Sequence, residues 1–175
     1  RSVLHNAQVR VFDIQVPPGA ATQWHVHSRD GLSVRLSDFQ VDDELADGAT
    51  SRLQLQRGDI SYGANAAPLT HRVRNVGTGP MRNLYIELQQ PAAATPSGAT
   101  TAATPRAAQR PAAFENQRVR VLRRTLQPGE SSGMHTHAAN AVAVAMTAGE
   151  LTVRRPAAQP RTLTLHEGGV QWLEA

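Results

Sequence analysis

Residues 18 to 27 read Pro18-Gly19-Ala20-Ala21-Thr22-Gln23-Trp24-His25-Val26-His27, and the same frame returns at 128 to 137 as PGESSGMHTH. In both places Pro-Gly is followed by five residues and then by His-x-His. On an extended strand, residues two apart project to the same side, so His25 and His27 present two imidazoles together, as do His135 and His137. The two stretches lie 110 positions apart, and that offset carries much more of the chain. It places Asn6 on Asn116, Val9-Arg10-Val11 on Val119-Arg120-Val121, and Leu53, Leu55 and Gly58 on Leu163, Leu165 and Gly168. A single constant offset through all these pairs argues for two copies of one unit.

Each copy reads as short strands. VRVFDIQV, QWHVH, LSVRL, SRLQLQ, HRVRNV and NLYIEL alternate apolar and polar residues at period two, with Gly, Pro, Asn and Asp clusters between them. That pattern predicts an antiparallel sandwich or barrel. AVAVAM, rich in alanine, is assigned to a strand because its counterpart LSVRL alternates in the same way. Gln89 to Ala113 is Ala/Pro/Thr-rich with almost no large apolar side chain, so it predicts an extended or mobile linker. The expected organisation is all-β: one unit over 1–88, a linker over 89–113 and a second unit over 114–175.

Composition narrows the chemistry. The chain has 175 residues, 40% of them hydrophobic, enough for one large or two small globular domains. No apolar run approaches membrane-spanning length, so a soluble protein without a membrane partner is expected. Cysteine is absent, which rules out disulfides and thiolate metal sites and leaves nitrogen and oxygen ligands. The net charge of +4 comes from arginine alone, spread along the chain with few aromatics. Nucleic-acid binding is therefore not expected. The chain begins at Arg1 rather than methionine, and a periplasmic or secreted location is the expectation over a cytoplasmic one.

His71 falls in HRVRN, where His71, Val73 and Asn75 share one strand face and Arg72 and Arg74 the other. If the barrel closes, His25, His27 and His71 converge on its interior. Three imidazoles from two strands suit a divalent transition metal, iron, manganese, copper or zinc, with open positions for water or substrate. Counting in twos from Gly31 places Ser33 and Arg35 on the same interior face, where Arg35 is either an anchor for a carboxylate or, if the register differs, a solvated or interface arginine. Trp24 should point away from the metal and pack between sheets or against the other unit. Asp42-Asp43-Glu44 with Asp47 and Gly48 reads as a solvated hairpin loop, and His5 and His166 as surface residues. No nucleophile elbow, phosphate loop or dinucleotide fingerprint occurs.

Pro18-Gly19, five residues and His25-Val26-His27, followed by Gly58, His71 and Asn75, resemble the two signature motifs of the cupin superfamily; Gly129, His135 and His137 repeat the first. The resemblance covers the chain outside the linker. It implies a bicupin, two cupin-type jelly-roll β-barrels in one polypeptide, with a pairing of subunits into a homodimer. Cupins commonly carry a metal-binding glutamate four or five residues after the second histidine, and here those positions hold Gly31 and Leu32, or Ala141 and Val142 in the second copy. The first copy is thus a three-histidine site, with Asp30 the only nearby carboxylate and one residue early. The second copy has His135 and His137 as weaker candidates, because the counterpart of His71 falls at position 181, past Ala175, and about 23 residues of the expected repeat are not in the chain. That implies either a trimmed chain or a second barrel completed by a partner strand.

Two functions follow as expectations. One is a metal-dependent enzyme of dioxygenase type acting on a small polar or anionic molecule, by resemblance to three-histidine iron cupins that cleave thiols or diketones. The other is a non-catalytic bicupin, its metal structural or absent, serving as a small-ligand-binding or assembly module.

Overall fold

The structure is a computed structural model that describes residues 1–65, 67–90 and 113–175, and among them it holds strands and turns without a helix. The expected linker lies almost wholly outside the described residues. Two compact units are present, Arg1–Gln90 with His137–Ala175, and Pro91–Thr136.

The first unit opens with nine strands: β1 (Ser2–His5), β2 (Val9–Val16), β3 (His25–His27), β4 (Gly31–Arg35), β5 (Phe39–Leu45), β6 (Thr50–Leu55), β7 (Ile60–Gly63), β8 (Leu69–Asn75) and β9 (Met81–Leu88). They form a five-stranded sheet in the order β1-β2-β9-β4-β7 and a four-stranded sheet in the order β3-β8-β5-β6. After β2 the chain crosses to the other sheet, and it crosses again after β3, β4, β6, β7 and β8. This shuttling between two antiparallel sheets is a jelly-roll arrangement, as the cupin resemblance implies, and fits the antiparallel sandwich or barrel that the alternating pattern predicted.

Strand pairing decides which side chains face inward. Val16 sits opposite Met81 in the first sheet, and both pack with Phe39 and Val41 of the second, joined by Ile14, Leu55 and Val73. This apolar cluster fills one end of the interior. The other face of the first sheet is also buried, through Val9, Val11, Leu32, Val34, Leu84 and Ile86. Each fully buried side chain of this size contributes about 1.5–3 kcal/mol by leaving water.

In the second unit, β10 (Phe114–Glu115) and β11 (Arg120–Val121) form a short antiparallel pair. The first unit is completed by β12 (Ala141–Val144), β13 (Gly149–Val153), β14 (Arg161–Leu165) and β15 (Val170–Leu173), pairing as β12 with β15 and β13 with β14. Arg57 donates to the Met146 carbonyl and, at 3.2 Å, to Glu167, while Arg82 reaches the Glu167 carbonyl. Gly168, at φ 75°, lies where a Cβ would come within 2.7 Å of Leu36 and 2.6 Å of Arg82. The positive φ at this close approach favours glycine.

Local geometry recurs at positions 110 apart. Gly31 opposes Gly63 in β4–β7, and Ala141 opposes Leu173 in β12–β15. Asn6 Oδ1 accepts from the Gln8 and Val9 amides, and Asn116 Oδ1 from those of Arg118 and Val119.

Two expectations are corrected here. Asp42, Asp43 and Glu44 are not a loop; they lie within β5, where cross-strand arginines stabilise them. Arg52 clamps Asp42 with two bonds, and Arg72 and Arg74 both reach Glu44. Trp24 is not packed between layers. It is 48% exposed, with the Arg72 guanidinium 5.0 Å over its ring, a cation–π contact on the outer surface.

Candidate metal centre

β3 is only three residues long, but its register is fixed: His25 lies opposite His71 of β8. His27, two residues on, shares that face, so three imidazoles meet at the end of the interior away from the apolar cluster. Their candidate ligand nitrogens all lie within 4.8 Å of one another, and their ring centroids within 5.0 Å.

Two of the rings are held from behind. His25 Nδ1 donates to the Gln23 carbonyl at 2.9 Å, and His71 Nδ1 to the Asp43 carboxylate at 2.6 Å. Both bonds place the proton on Nδ1 and leave the Nε2 lone pair for the site. A carboxylate behind a ligating histidine fixes its tautomer and raises its basicity. His71 Nε2 is buried and, among the described residues, has no hydrogen-bond partner. A buried polar atom without a partner costs about 1–3 kcal/mol. A metal ion removes that deficit, so the donor set fits one.

Burial, reinforced by the neighbouring His25 and His71, pushes His27 down to about 4, from 6.5. It is therefore neutral, as a ligand must be. The unfolded chain binds more protons than the folded one between these two values. The stability that neutral His27 contributes to the metal-free protein is thus fully present above about pH 6.5 and is lost as pH falls toward 4. Urea titrations from pH 7 to 4 should show that fall, and His27→Gln should flatten it; an equally steep fall in the variant would assign the effect elsewhere.

The opposite wall comes from the five-stranded sheet. Tyr85 meets His27 edge-on, with centroids 4.4 Å apart. A Cβ on Gly31 would stand 2.6 Å from the Tyr85 ring and hydroxyl and 2.9 Å from the Ile86 carbonyl. At a position where cupins commonly carry a carboxylate, the aromatic ring takes up the space. Burial, with Glu87 adding to it, raises Tyr85 to about 12, so it is a neutral phenol.

Asp30 does not join the histidines: its carboxylate accepts from the Tyr62 hydroxyl at 2.6 Å and the Asn65 amide at 2.9 Å. Ser33 and Arg35 lie on the same face as Tyr85, since Ser33 opposes Tyr85 and Arg35 opposes Asn83. His135 and His137 are exposed and lie outside the strands; His135 Nδ1 donates to the Gly133 carbonyl at 2.9 Å, as His25 does to Gln23. His5 and His166 are exposed. Sequence reasoning missed Asp43, Tyr85 and Asn83. Period two within a correctly assigned β5 would have put Asp43 on the inner face beside Val41.

No protein-family model and no curated protein matches the chain. Among solved structures, it is similar to a cupin domain from Bordetella pertussis Tohama I, with 27% identity, 51% of this chain and 91% of that one covered, and a TM-score of 0.47. It is similar to a protein with a double-stranded β-helix domain from Klebsiella pneumoniae MGH 78578, at 20% identity, 50% and 73% coverage, and a TM-score of 0.42. Oxalate decarboxylase matches at 24% identity over 46% of this chain and 21% of its own length, with a TM-score of 0.37. About half of the chain is thus similar to cupin and double-stranded β-helix structures.

Proposed function

We propose that this chain is a cupin-superfamily metalloprotein, built on a bicupin plan, that uses His25, His27 and His71 to hold one divalent transition metal and acts as an oxygenase-type enzyme on a small anionic molecule. The observation that carries the reading is the buried His71 Nε2, without a partner among the described residues and backed by Asp43, converging with His25 and a neutral His27. Three neutral ligands leave the full charge of a divalent ion in place. When bound, such an ion supplies Lewis-acid attraction for an anion and, if it is iron, redox capacity toward dioxygen.

The chain's own residues do the rest. Asp43 and the Gln23 carbonyl orient two ligands. Gly31 and Tyr85 close the wall, and the Tyr85 phenol keeps its proton at neutral pH. A second reading, a ligand-binding bicupin without turnover, is favoured by one observation: among the described residues, the titratable group in ring contact with the histidines is Tyr85, against His27, and a phenol near 12 is a poor proton shuttle.

The test is elemental analysis of protein purified without added metal, followed by oxygen-electrode assays on the iron-loaded form with small carboxylates, thiols and diketones. Near-stoichiometric metal with substrate-dependent oxygen uptake supports the enzyme. Metal without turnover supports the binding protein. No metal, and none taken up on titration, overturns the metal reading and leaves a metal-free ligand-binding bicupin.

A further inference from the structure

Arg35 is an internal cation without a partner carboxylate among the described residues. Its strand position places it on the inner face: Ser33 pairs with Tyr85 and Arg35 with Asn83, and Tyr85 touches His27. The guanidinium does not stay level with its own Cα. Nη1 donates to the Ser33 carbonyl at 3.1 Å and to Ser61 Oγ at 2.7 Å, and Ser61 is the residue opposite Ser33. The side chain therefore folds back along β4 by one side-chain step, toward the end where the histidines stand.

Neutral oxygens hold it there, and among the described residues no carboxylate lies within ion-pair distance. Burial lowers its pKa, and Asp59 only partly opposes that. Among the described residues its buried Nε has no partner, and neither has Oδ1 of Asn83, the residue directly opposite, whose Nδ2 makes a long 3.5 Å bond to Ser33. Two adjacent polar groups left short of partners in one interior are unusual in a folded protein.

Charge accounting for the same interior points one way. Asp43 is engaged with His71, and Glu87, opposite Gly31 at the rim, accepts from Gln89 Nε2 at 2.7 Å. Neither offsets Arg35. A divalent ion on the histidines would add two more positive charges to the same interior, from the facing sheet. An interior of this kind is complementary to an anion with two binding ends.

We propose that Arg35, supported by Asn83, Ser33 and Ser61, is the carboxylate anchor of this site, and that its substrate is a small carboxylate with a second oxygen donor for the ion. The inference rests on the metal reading above.

Malonate and its neutral analogue malonamide test it, with calorimetric titration of zinc-loaded protein and metal content measured on each sample. Wild type should bind malonate and not malonamide. Arg35→Gln should weaken malonate at least ten-fold with zinc unchanged. Asn83→Asp, nearly isosteric and set to pair with Arg35 in place of the ligand, should do the same, which keeps the test open if Arg35→Gln folds poorly.

Unchanged malonate affinity in zinc-replete Arg35→Gln or Asn83→Asp would mean that the ion alone holds the carboxylate. The anchor would then fall while the metal reading stood. Zinc-replete wild type that binds no malonate, or binds malonamide equally, has the same consequence. A wild type that takes up no zinc removes the metal reading, and this inference with it.

Discussion

His71→Ala is expected to abolish metal retention. His71 is the most enclosed of the three ligands at 9% exposure, and its ring is fixed by the 2.6 Å bond to Asp43. Removing it leaves two histidines on one three-residue strand, with no carboxylate from Asp30, Gly31 or Leu32 to take its place. Elemental analysis should fall from near-stoichiometric metal to background. Asp43→Asn separates ligation from orientation, because it keeps the ring and weakens the group behind it; loss of such a partner costs about 10–100-fold in affinity. Metal should then persist in Asp43→Asn at high free concentration and wash out at low. Chelation should lower the melting temperature of wild type, since an ion present at 100 times its Kd stabilises by about 2.7 kcal/mol. It should leave His71→Ala unmoved. Full metal occupancy in His71→Ala would sink the three-histidine assignment.

What the sequence made legible was whatever depends on local periodicity. β2 falls on VRVFDIQV, and the inner-face assignment of His25, His27, Ser33 and Arg35 follows from counting in twos. Asn6 and Pro-Gly mark turns that the structure contains, with Gly19 and Gly129 both at positive φ. What failed depends on partners distant in the chain. Asp42-Asp43-Glu44 looks like a solvated loop because three adjacent acids are poor strand formers in isolation. Their neutralising arginines, Arg52, Arg72 and Arg74, lie 10 to 30 residues away and become neighbours only once β6 and β8 pair with β5. The same pairing conceals Asp43 as the partner of His71. Trp24 was placed correctly on the face opposite the ligands, but the alternation does not say whether that face is covered. Tyr85 could not be found from Gly31, since the close approach is a matter of three-dimensional volume.

Asn75→Leu is expected to cost more stability than any change at the metal ligands, about 2–4 kcal/mol, by removing three hydrogen bonds at about 1 kcal/mol each from a buried position. Asn75 is 0% exposed and sits at the end of β8. Its Nδ2 donates to the Val16 carbonyl at 2.8 Å and the Gly79 carbonyl at 2.9 Å, and its Oδ1 accepts from the Gly77 amide at 3.0 Å. One side chain thus ties the end of β2, the end of β8 and the turn into β9, drawing both sheets together beside Val16 and Met81 of the apolar cluster. Leucine matches the volume and supplies no bond, so the loss is in polar satisfaction rather than packing. Asn75→Asp is the sharper control. It keeps the shape and the acceptor for Gly77, but turns an oxygen toward two carbonyl oxygens where a two-proton donor stood. At pH 7 it should therefore be at least as destabilising as leucine. Urea denaturation of both variants at constant m-value decides the matter. If Asn75→Asp unfolds like wild type, the donor bonds are not what holds this corner, and shape alone accounts for asparagine there.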